Sequence, residues 1–130
     1  MYEALTRDIR VRVEPQYIEE QSSPEESHFF WSYTVTISNE GGETVQLRSR
    51  LWRITNASGM TQEVRGPGVV GLTPTIAPGQ SFSYTSGCPL DTPSGIMVGS
   101  YQMEDSGGKL FDVAIPAFSL DSPFAPRSLN

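Results

Sequence analysis

The chain has 130 residues, of which 37% are hydrophobic, and this length and composition predict one folded domain over residues 1–130. Acidic residues outnumber basic residues by 15 to 9, and the resulting net charge of −6 disfavours binding to nucleic acid or to an anionic membrane. No apolar stretch approaches the roughly 18 residues of a membrane-spanning helix, and the N-terminus lacks the apolar region of a secretory signal, so we expect a cytoplasmic protein.

The first half of the chain alternates apolar and polar residues with a period of two, which predicts half-buried strands. Ile9, Val11 and Val13 alternate with charged residues, and the odd-numbered residues of 29–37 are all aromatic or β-branched. The polar, acidic segment 18–27 between these two runs is typical of a flexible connection.

The next predicted strand changes phase. Within residues 45–54 the apolar positions are first odd-numbered and then even-numbered. A β-bulge near Arg50–Leu51 explains the change, because one extra residue reverses the alternation. If the odd positions face the core before the bulge, Arg48 and Arg50 project together from the outer face.

Residues Arg65–Gly71, "RGPGVVG", have the G-x-G-x-x-G spacing of dinucleotide-binding loops. In those loops the pyrophosphate lies at the N-terminus of a following helix, and Pro74 and Pro78 exclude such a helix here. Two interpretations remain: a tight turn that needs glycines, or a nest of backbone N–H groups that binds an anion. For the second, the candidate binding residues are Arg65, Gly66, Gly68 and Gly71, with Arg48 and Arg50 assisting.

The second half of the chain also predicts short strands between glycine-containing turns. Alternating apolar residues occur in 81–85, 97–103 and 111–115. The turn signals are residues 39–42, 56–59, 92–95 and 105–108. This spacing predicts an all-β protein, an antiparallel β-sandwich with a core over about residues 8–120 and a flexible C-terminal tail, 121–130.

Catalytic and metal sites are not predicted. His28 and Cys88 are the single His and Cys, so there is no zinc cluster and no Ser-His-Asp arrangement with its usual local motifs. A His28–Cys88 dyad is the one nucleophilic pair available, and a part-buried structural thiol is the favoured alternative. The acidic residues in segment 18–27 lack calcium-loop spacing, and those at 104–105 adjoin a turn. We expect no cofactor.

The sequence resembles the bacterial ApaG family, also called CorD, over most of positions 10–120. The resemblance rests on residues 11–25, 33–59, 63–71, 74–101 and 111–120, including "EVRGPGVVG" and "PTIAPGQSFSYTSGCPLDTPSGIMVGSY". It implies a fibronectin type III-like (immunoglobulin-like) sandwich and a non-enzymatic protein-interaction module with an unidentified protein partner. It also implies a genetic link to cobalt resistance and magnesium efflux, and pyrophosphate or nucleotide polyphosphate as an alternative ligand of the glycine loop.

The chain departs from the family pattern at two places. Leu51 precedes Trp52 where the family typically has His, and Leu72-Thr73 stand in place of Glu-Gln. Both changes replace polar groups near the candidate arginines and glycines, and they lower the expectation of a metal site.

Overall fold

The computed structural model describes residues 1–124; residues 125–130, which include most of the predicted flexible tail, lie outside the described residues. Nine strands account for most of the described chain. Their bounds are β1 (Tyr2–Thr6), β2 (Ile9–Tyr17), β3 (Phe29–Asn39), β4 (Val45–Asn56), β5 (Thr61–Pro67), β6 (Thr75–Ile76), β7 (Ser81–Leu90), β8 (Ser94–Glu104) and β9 (Leu110–Asp121). In the described part of the chain, no helix has the length and apolarity needed to cross a membrane.

The strands form two antiparallel sheets, which confirms the predicted β-sandwich. The first sheet has the order β1-β2-β3-β7, and the second has the order β5-β4-β8-β9, with β6 also paired to β4. The apolar residues that alternate along β2, β3 and β9 are buried between the sheets, as the period of two predicts.

Aromatic side chains from both sheets meet in the core. Tyr33 of β3 lies edge-on to Trp52 of β4, and their ring centroids are 5.3 Å apart. Trp52 in turn lies edge-on to Phe118 of β9 at 5.9 Å. The hydroxyls of Tyr84 and Tyr101 share a short hydrogen bond between β7 and β8, so one buried polar contact also joins the two sheets.

The two sides of the sandwich differ. On one side β1 packs against β9, and the backbone N–H of Ala114 donates a hydrogen bond to the Thr6 hydroxyl at 3.2 Å. On the other side, β5 and β7 are the edge strands, and a cleft opens between the sheets there. The first side is closed, and the second is open.

Several parts of the chain differ from, or add to, the sequence-based expectations. β1, β5 and β6 were not predicted as strands. The segment 18–27, predicted to be flexible, forms two 3-10 turns, and the Ile18 N–H donates to the carbonyl oxygen of Phe30 at 2.8 Å. Asp121 ends β9 and Ser122 is buried, so ordered structure extends into the first residues of the predicted tail.

Candidate functional site

A β-bulge in β4 decides where its arginines lie. The pairing of β4 with β8 runs from Leu47↔Met103 directly to Ser49↔Gln102, so Arg48 is the extra residue. The predicted bulge therefore exists, but it lies two residues before the expected position.

The position of the bulge corrects the prediction that Arg48 and Arg50 project together from the outer face. Because the alternation reverses at Arg48, Arg50 shares its face with the buried Trp52 and lines the space between the sheets. Arg48 stays on the exposed side, where its Nε lies 3.0 Å from Oε1 of Glu104.

The guanidinium of Arg50 is held by the glycine segment. Its Nη1 donates to the carbonyl oxygens of Pro67 and Gly68, both at 2.9 Å. Gly66 pairs with Arg50 across β4 and β5, and a Cβ at Gly66 would lie 3.0 Å from both Nη1 and Nη2. Gly66 therefore provides the space in which the guanidinium lies flat on β5.

The other two glycines of the pattern meet the needs of a tight turn. Val69 and Leu72 bond to each other in both directions, N to O, at 2.8 Å. The two residues between them, Val70 and Gly71, have φ of 43° and 80°, as a type I′ turn requires. Gly68 has φ of 60°, and a Cβ there would come within 2.2 Å of the Leu72 carbonyl oxygen.

This hairpin uses most of the amides that an anion-binding nest would offer. The N–H of Gly68 donates to the carbonyl oxygen of Arg48, and the N–H of Val69 donates to Leu72. Within residues 1–124, the N–H groups of Val70 and Gly71 at the tip are the ones in this hairpin with no acceptor. Of the site residues predicted from the sequence, the structure brings Arg50 into contact with Gly66 and Gly68.

Arg65 lies on the outer face of β5, where it pairs with Leu51 of β4. Its Nη2 is 3.2 Å from Oε1 of Glu63, which also pairs with Arg53 at 3.1 Å. Leu51, at the family's His position, lines the same outer face as Arg65, and Leu72 is exposed in the hairpin. The structure thus separates the three candidate arginines into two paired surface groups and one group between the sheets.

The open side of the sandwich contains a cleft of about 290 Å³ beside Arg50. Strand β4 contributes Arg50 and Trp52, β3 contributes Tyr33, β5 contributes Val64, and β7 contributes the stretch Ser86–Pro89. The lining combines aromatic and aliphatic side chains with polar groups that include the Gln62 amide, and the Arg50 guanidinium is the cation. The sequence analysis did not reveal this cleft, because its walls depend on strand β5 and on the position of the bulge. The first was not predicted, and the second was predicted two residues too late.

Burial raises the pKa of the Cys88 thiol and of three tyrosine hydroxyls between the sheets. Desolvation raises the pKa of the Cys88 thiol to about 11, so the thiol stays protonated at neutral pH. Burial also raises the pKa of the Tyr84 and Tyr101 hydroxyls, and that of Tyr33, because the charged phenolate is poorly solvated between the sheets. Desolvation is the largest effect on all three tyrosines, and the positive charge of Arg50 lowers their pKa by a smaller amount.

His28 and Cys88, the candidate dyad, lie in different environments. Cys88 is buried opposite Trp31, whereas His28 is exposed just before β3, where it forms a bridge with Ser23. Across residues 1–124, no group of three or more His, Cys, Asp or Glu side chains comes together in an arrangement suited to a metal ion.

Within residues 1–124, strand β7 pairs with β3 alone, and we call its other edge the β7 edge (Ser81–Leu90). The Asn39 N–H donates to the carbonyl oxygen of Gln80 at 3.0 Å, and hydrogen-bonded pairs alternate along an antiparallel ladder. The backbone groups of Ser83, Thr85 and Gly87 therefore point away from β3. On its outer face the strand forms hydroxyl pairs with β3, including Thr34 with Thr85 at 2.9 Å and Thr36 with Ser83 at 2.8 Å.

The β7 edge is uncharged. The edge strands β1, β5 and β9 each contain acidic residues, and β5 contains an arginine as well, whereas the ten residues of β7 contain no charged side chain. Edge strands usually carry charges that prevent pairing with another chain. Of these edges, β7 is thus the one best suited to accept an additional strand.

Comparison with known proteins gives consistent matches along the whole chain. A sequence profile of the ApaG domain matches residues 19–105. The Protein ApaG sequences of Brucella anthropi and Rhizobium meliloti are 62% and 58% identical over 130 residues, with 100% of each chain covered. The crystal structure of an ApaA protein from Bordetella pertussis superimposes with a TM-score of 0.87 at 47% identity, covering 91% of this chain and 96% of that one.

Proposed function

Since the chain belongs to the ApaG family, we propose that it is a non-enzymatic interaction module that binds a protein partner and acts in cobalt resistance and magnesium efflux. The observation that carries this proposal is the β7 edge. It combines outward-directed backbone groups with a surface of paired hydroxyls and no charge. An extended segment of a partner can add to such an edge through main-chain hydrogen bonds.

The buried thiol supports a non-enzymatic role. A nucleophilic cysteine needs a lowered pKa and an accessible sulfur, whereas burial raises the pKa of the Cys88 thiol. Its Sγ lies 3.7 Å from the neighbouring Pro89 carbonyl oxygen, which is a local structural contact.

The edge is tested with two charged variants. The double substitution Ser83→Lys and Thr85→Lys places charges on the edge strand, where they oppose strand addition. The matched control, Thr34→Lys with Thr36→Lys, places the same charges on the opposing residues of the central strand β3. Each protein is used to capture partners from lysate at several Mg²⁺ and Co²⁺ concentrations, and the captured proteins are identified and then purified.

We expect one purified partner to bind the wild type and the Thr34→Lys/Thr36→Lys control with similar affinity, and the edge variant at least tenfold more weakly. If no partner is retained specifically, the interaction proposal fails. If both double variants lose the partner equally, the outer face rather than the edge is the binding surface.

The cation role is tested separately in cells. Deletion of the gene should lower cobalt tolerance, and the wild type should restore tolerance better than the Ser83→Lys/Thr85→Lys variant. An unchanged cobalt tolerance and an unchanged rate of magnesium efflux in the deletion strain would remove this part of the proposal and leave the binding activity standing.

A second candidate function is binding of a small anion or a nucleotide polyphosphate at the glycine hairpin. The observation in its favour is the pair of N–H groups at the tip, on Val70 and Gly71, which have no acceptor within residues 1–124. Titration with pyrophosphate, ATP and diadenosine tetraphosphate should then shift the amide resonances of residues 66–71. Amides that do not shift at millimolar ligand would exclude this function.

A further inference from the structure

Arg50 differs from the other arginines of the described chain in its charge environment. Residues 1–124 contain seven arginines, and six of them have a carboxylate oxygen within 4.0 Å. Within residues 1–124, Arg50 has no carboxylate oxygen in this range, although the protein carries a net charge of −6 and acidic residues are abundant. An unpaired cation beside a cleft favours an anionic ligand, because a partly buried charge is stabilised by a counterion.

The orientation of the guanidinium is fixed before any ligand binds. Nη1 is occupied by the carbonyl oxygens of Pro67 and Gly68, and the plane lies against Gly66. Nε and Nη2 make no hydrogen bond to residues 1–124. These two N–H groups form one side of the guanidinium fork, whose spacing matches the two oxygens of a carboxylate.

The rest of the cleft is suited to an apolar body. Trp52 and Val64 line it together with Tyr33 and Met97. Its uncharged polar groups include the Gln62 amide of β5 and, at the β7 wall, the Ser86 hydroxyl and the Cys88 thiol. Its volume of about 290 Å³ holds roughly ten non-hydrogen atoms if each occupies the ~30 Å³ of one water molecule. Binding sites for small molecules commonly combine such an apolar lining with a few polar groups that fix orientation.

We propose that the inter-sheet cleft beside Arg50 binds a small organic monocarboxylate, with the carboxylate on Nε and Nη2 of Arg50 and an apolar body against Trp52 and Val64. One cation matches one negative charge. A multiply charged polyphosphate would bring more charge into this apolar cleft than a single guanidinium balances. The ligand class therefore differs from the polyphosphates considered for the hairpin tip.

The test uses 3-phenylpropionate as the probe and the full chain as the protein. NMR titration follows the Arg50 Nε–H and the Trp52 indole N–H, and the backbone amide of Ala114, on the closed β1–β9 side and not part of the cleft lining, is the internal control. We expect saturable shifts at Arg50 and Trp52 and none at Ala114. The neutral 3-phenylpropanamide and the variant Arg50→Gln should each weaken binding about 10- to 100-fold, the range expected for hydrogen bonds to a charged group.

The variant Arg65→Gln is the matched control, since it removes a cation from the outer face of the neighbouring strand β5. It should leave the affinity for 3-phenylpropionate unchanged. The amide comparison uses the wild type, so it remains decisive if Arg50→Gln disturbs the hairpin that Arg50 holds.

Three results would overturn the proposal. One is equal binding of the amide and the carboxylate, and another is equal loss of affinity in Arg65→Gln and Arg50→Gln. The third is tighter binding, at the same resonances, of pyrophosphate or of a blocked peptide carrying one glutamate, because the ligand would then be a polyphosphate or a protein side chain.

Discussion

Gly68 and Gly71 both have a positive φ, but only Gly68 lies where a side chain would collide with the backbone. A Cβ at Gly71 would have no neighbour within 4 Å, whereas one at Gly68 would meet the Leu72 carbonyl oxygen at 2.2 Å. Gly66 serves a different purpose, since it makes room for the Arg50 guanidinium. The three glycines thus meet three steric requirements, none of which needs a phosphate group.

We expect Gly68→Ala to cost more stability than Gly71→Ala. At Gly71 the cost is the left-handed conformation alone, about 1–2 kcal/mol. At Gly68 the same cost is joined by a clash with backbone, which should bring the total to about 3 kcal/mol or more. Urea unfolding of both variants measures the difference, and equal midpoints would show that the hairpin shifts to accommodate the methyl group.

Val70 is a strained residue at an exposed position. Its φ of 43° is unfavourable for a β-branched side chain, which is 55% exposed and so contributes little to the core. Val70→Asn should therefore stabilise the protein by about 1 kcal/mol, because Asn adopts this conformation readily and Asn-Gly is a preferred type I′ pair. Thermal unfolding measures the gain; a lower melting temperature would indicate that Val70 makes a stabilising contact that outweighs its strain.

The bulge in strand β4 joins two halves of the strand. Odd-numbered residues face the core before it, and even-numbered residues face the core after it. Leu47 before the bulge and Trp52 after it are both buried, and one extra residue, Arg48, makes this possible. The bulge also turns the side chain of Arg50 inward.

Deletion of Arg48 should be far more damaging than its truncation. Arg48→Ala removes an exposed ion pair with Glu104 and should cost about 0.5 kcal/mol or less. The deletion restores a regular ladder but turns either Leu47 or Trp52 to solvent, so we expect a loss of about 3 kcal/mol or more. Urea unfolding followed by tryptophan fluorescence compares the two, and similar midpoints would contradict this view of the bulge.

The sequence predicted those strands whose two faces have different environments. β2 and β3 have one face in the core, so their alternation was clear, and the phase change in β4 revealed that a bulge exists. β5 was missed because as an edge strand beside an open cleft it is mostly exposed on both faces. The position of the bulge was two residues from the predicted one, because alternation alone does not distinguish between neighbouring polar residues such as Arg48 and Arg50.

The candidate site was predicted less completely than the fold. The sequence correctly excluded the helix that a dinucleotide-binding loop needs after the glycine segment, and it left a tight turn and an anion-binding nest as alternatives. It did not place Arg50 between the sheets or reveal the cleft, since both depend on how β4, β5 and β7 face one another across the open side.

For the whole molecule, buried thiol and phenol groups should make the free energy of unfolding decrease at alkaline pH. Burial raises the pKa of the Cys88 thiol to about 11 from an ordinary 9.0, and it also raises the pKa of the Tyr33, Tyr84 and Tyr101 hydroxyls from 10.0. The unfolded chain releases these protons first. Stability is therefore retained below about pH 9 and is lost as pH rises, because the unfolded state then binds fewer protons than the folded state.

We expect the free energy of unfolding to be nearly constant between pH 7 and 8.5 and to fall above pH 9, with each buried group contributing up to about 1.4 kcal/mol per pH unit. Urea unfolding at successive pH values gives the slope. The double variant Tyr84→Phe/Tyr101→Phe, which removes both phenols of the core pair together, should have a shallower slope above pH 10. An identical slope would show that these two hydroxyls ionise as easily in the folded state as in the unfolded one.

The difference between the closed and open sides of the sandwich also has a dynamic consequence. Where β1 packs against β9, the two sheets are held together, whereas β5 and β7 leave the cleft between them. Local opening should therefore separate the two sheets at the β5–β7 side, while the β1–β9 side acts as the hinge. Amide hydrogen exchange should be fastest along β5 and slowest in β2 and β8, and a ligand seated in the cleft would slow exchange at the open side first.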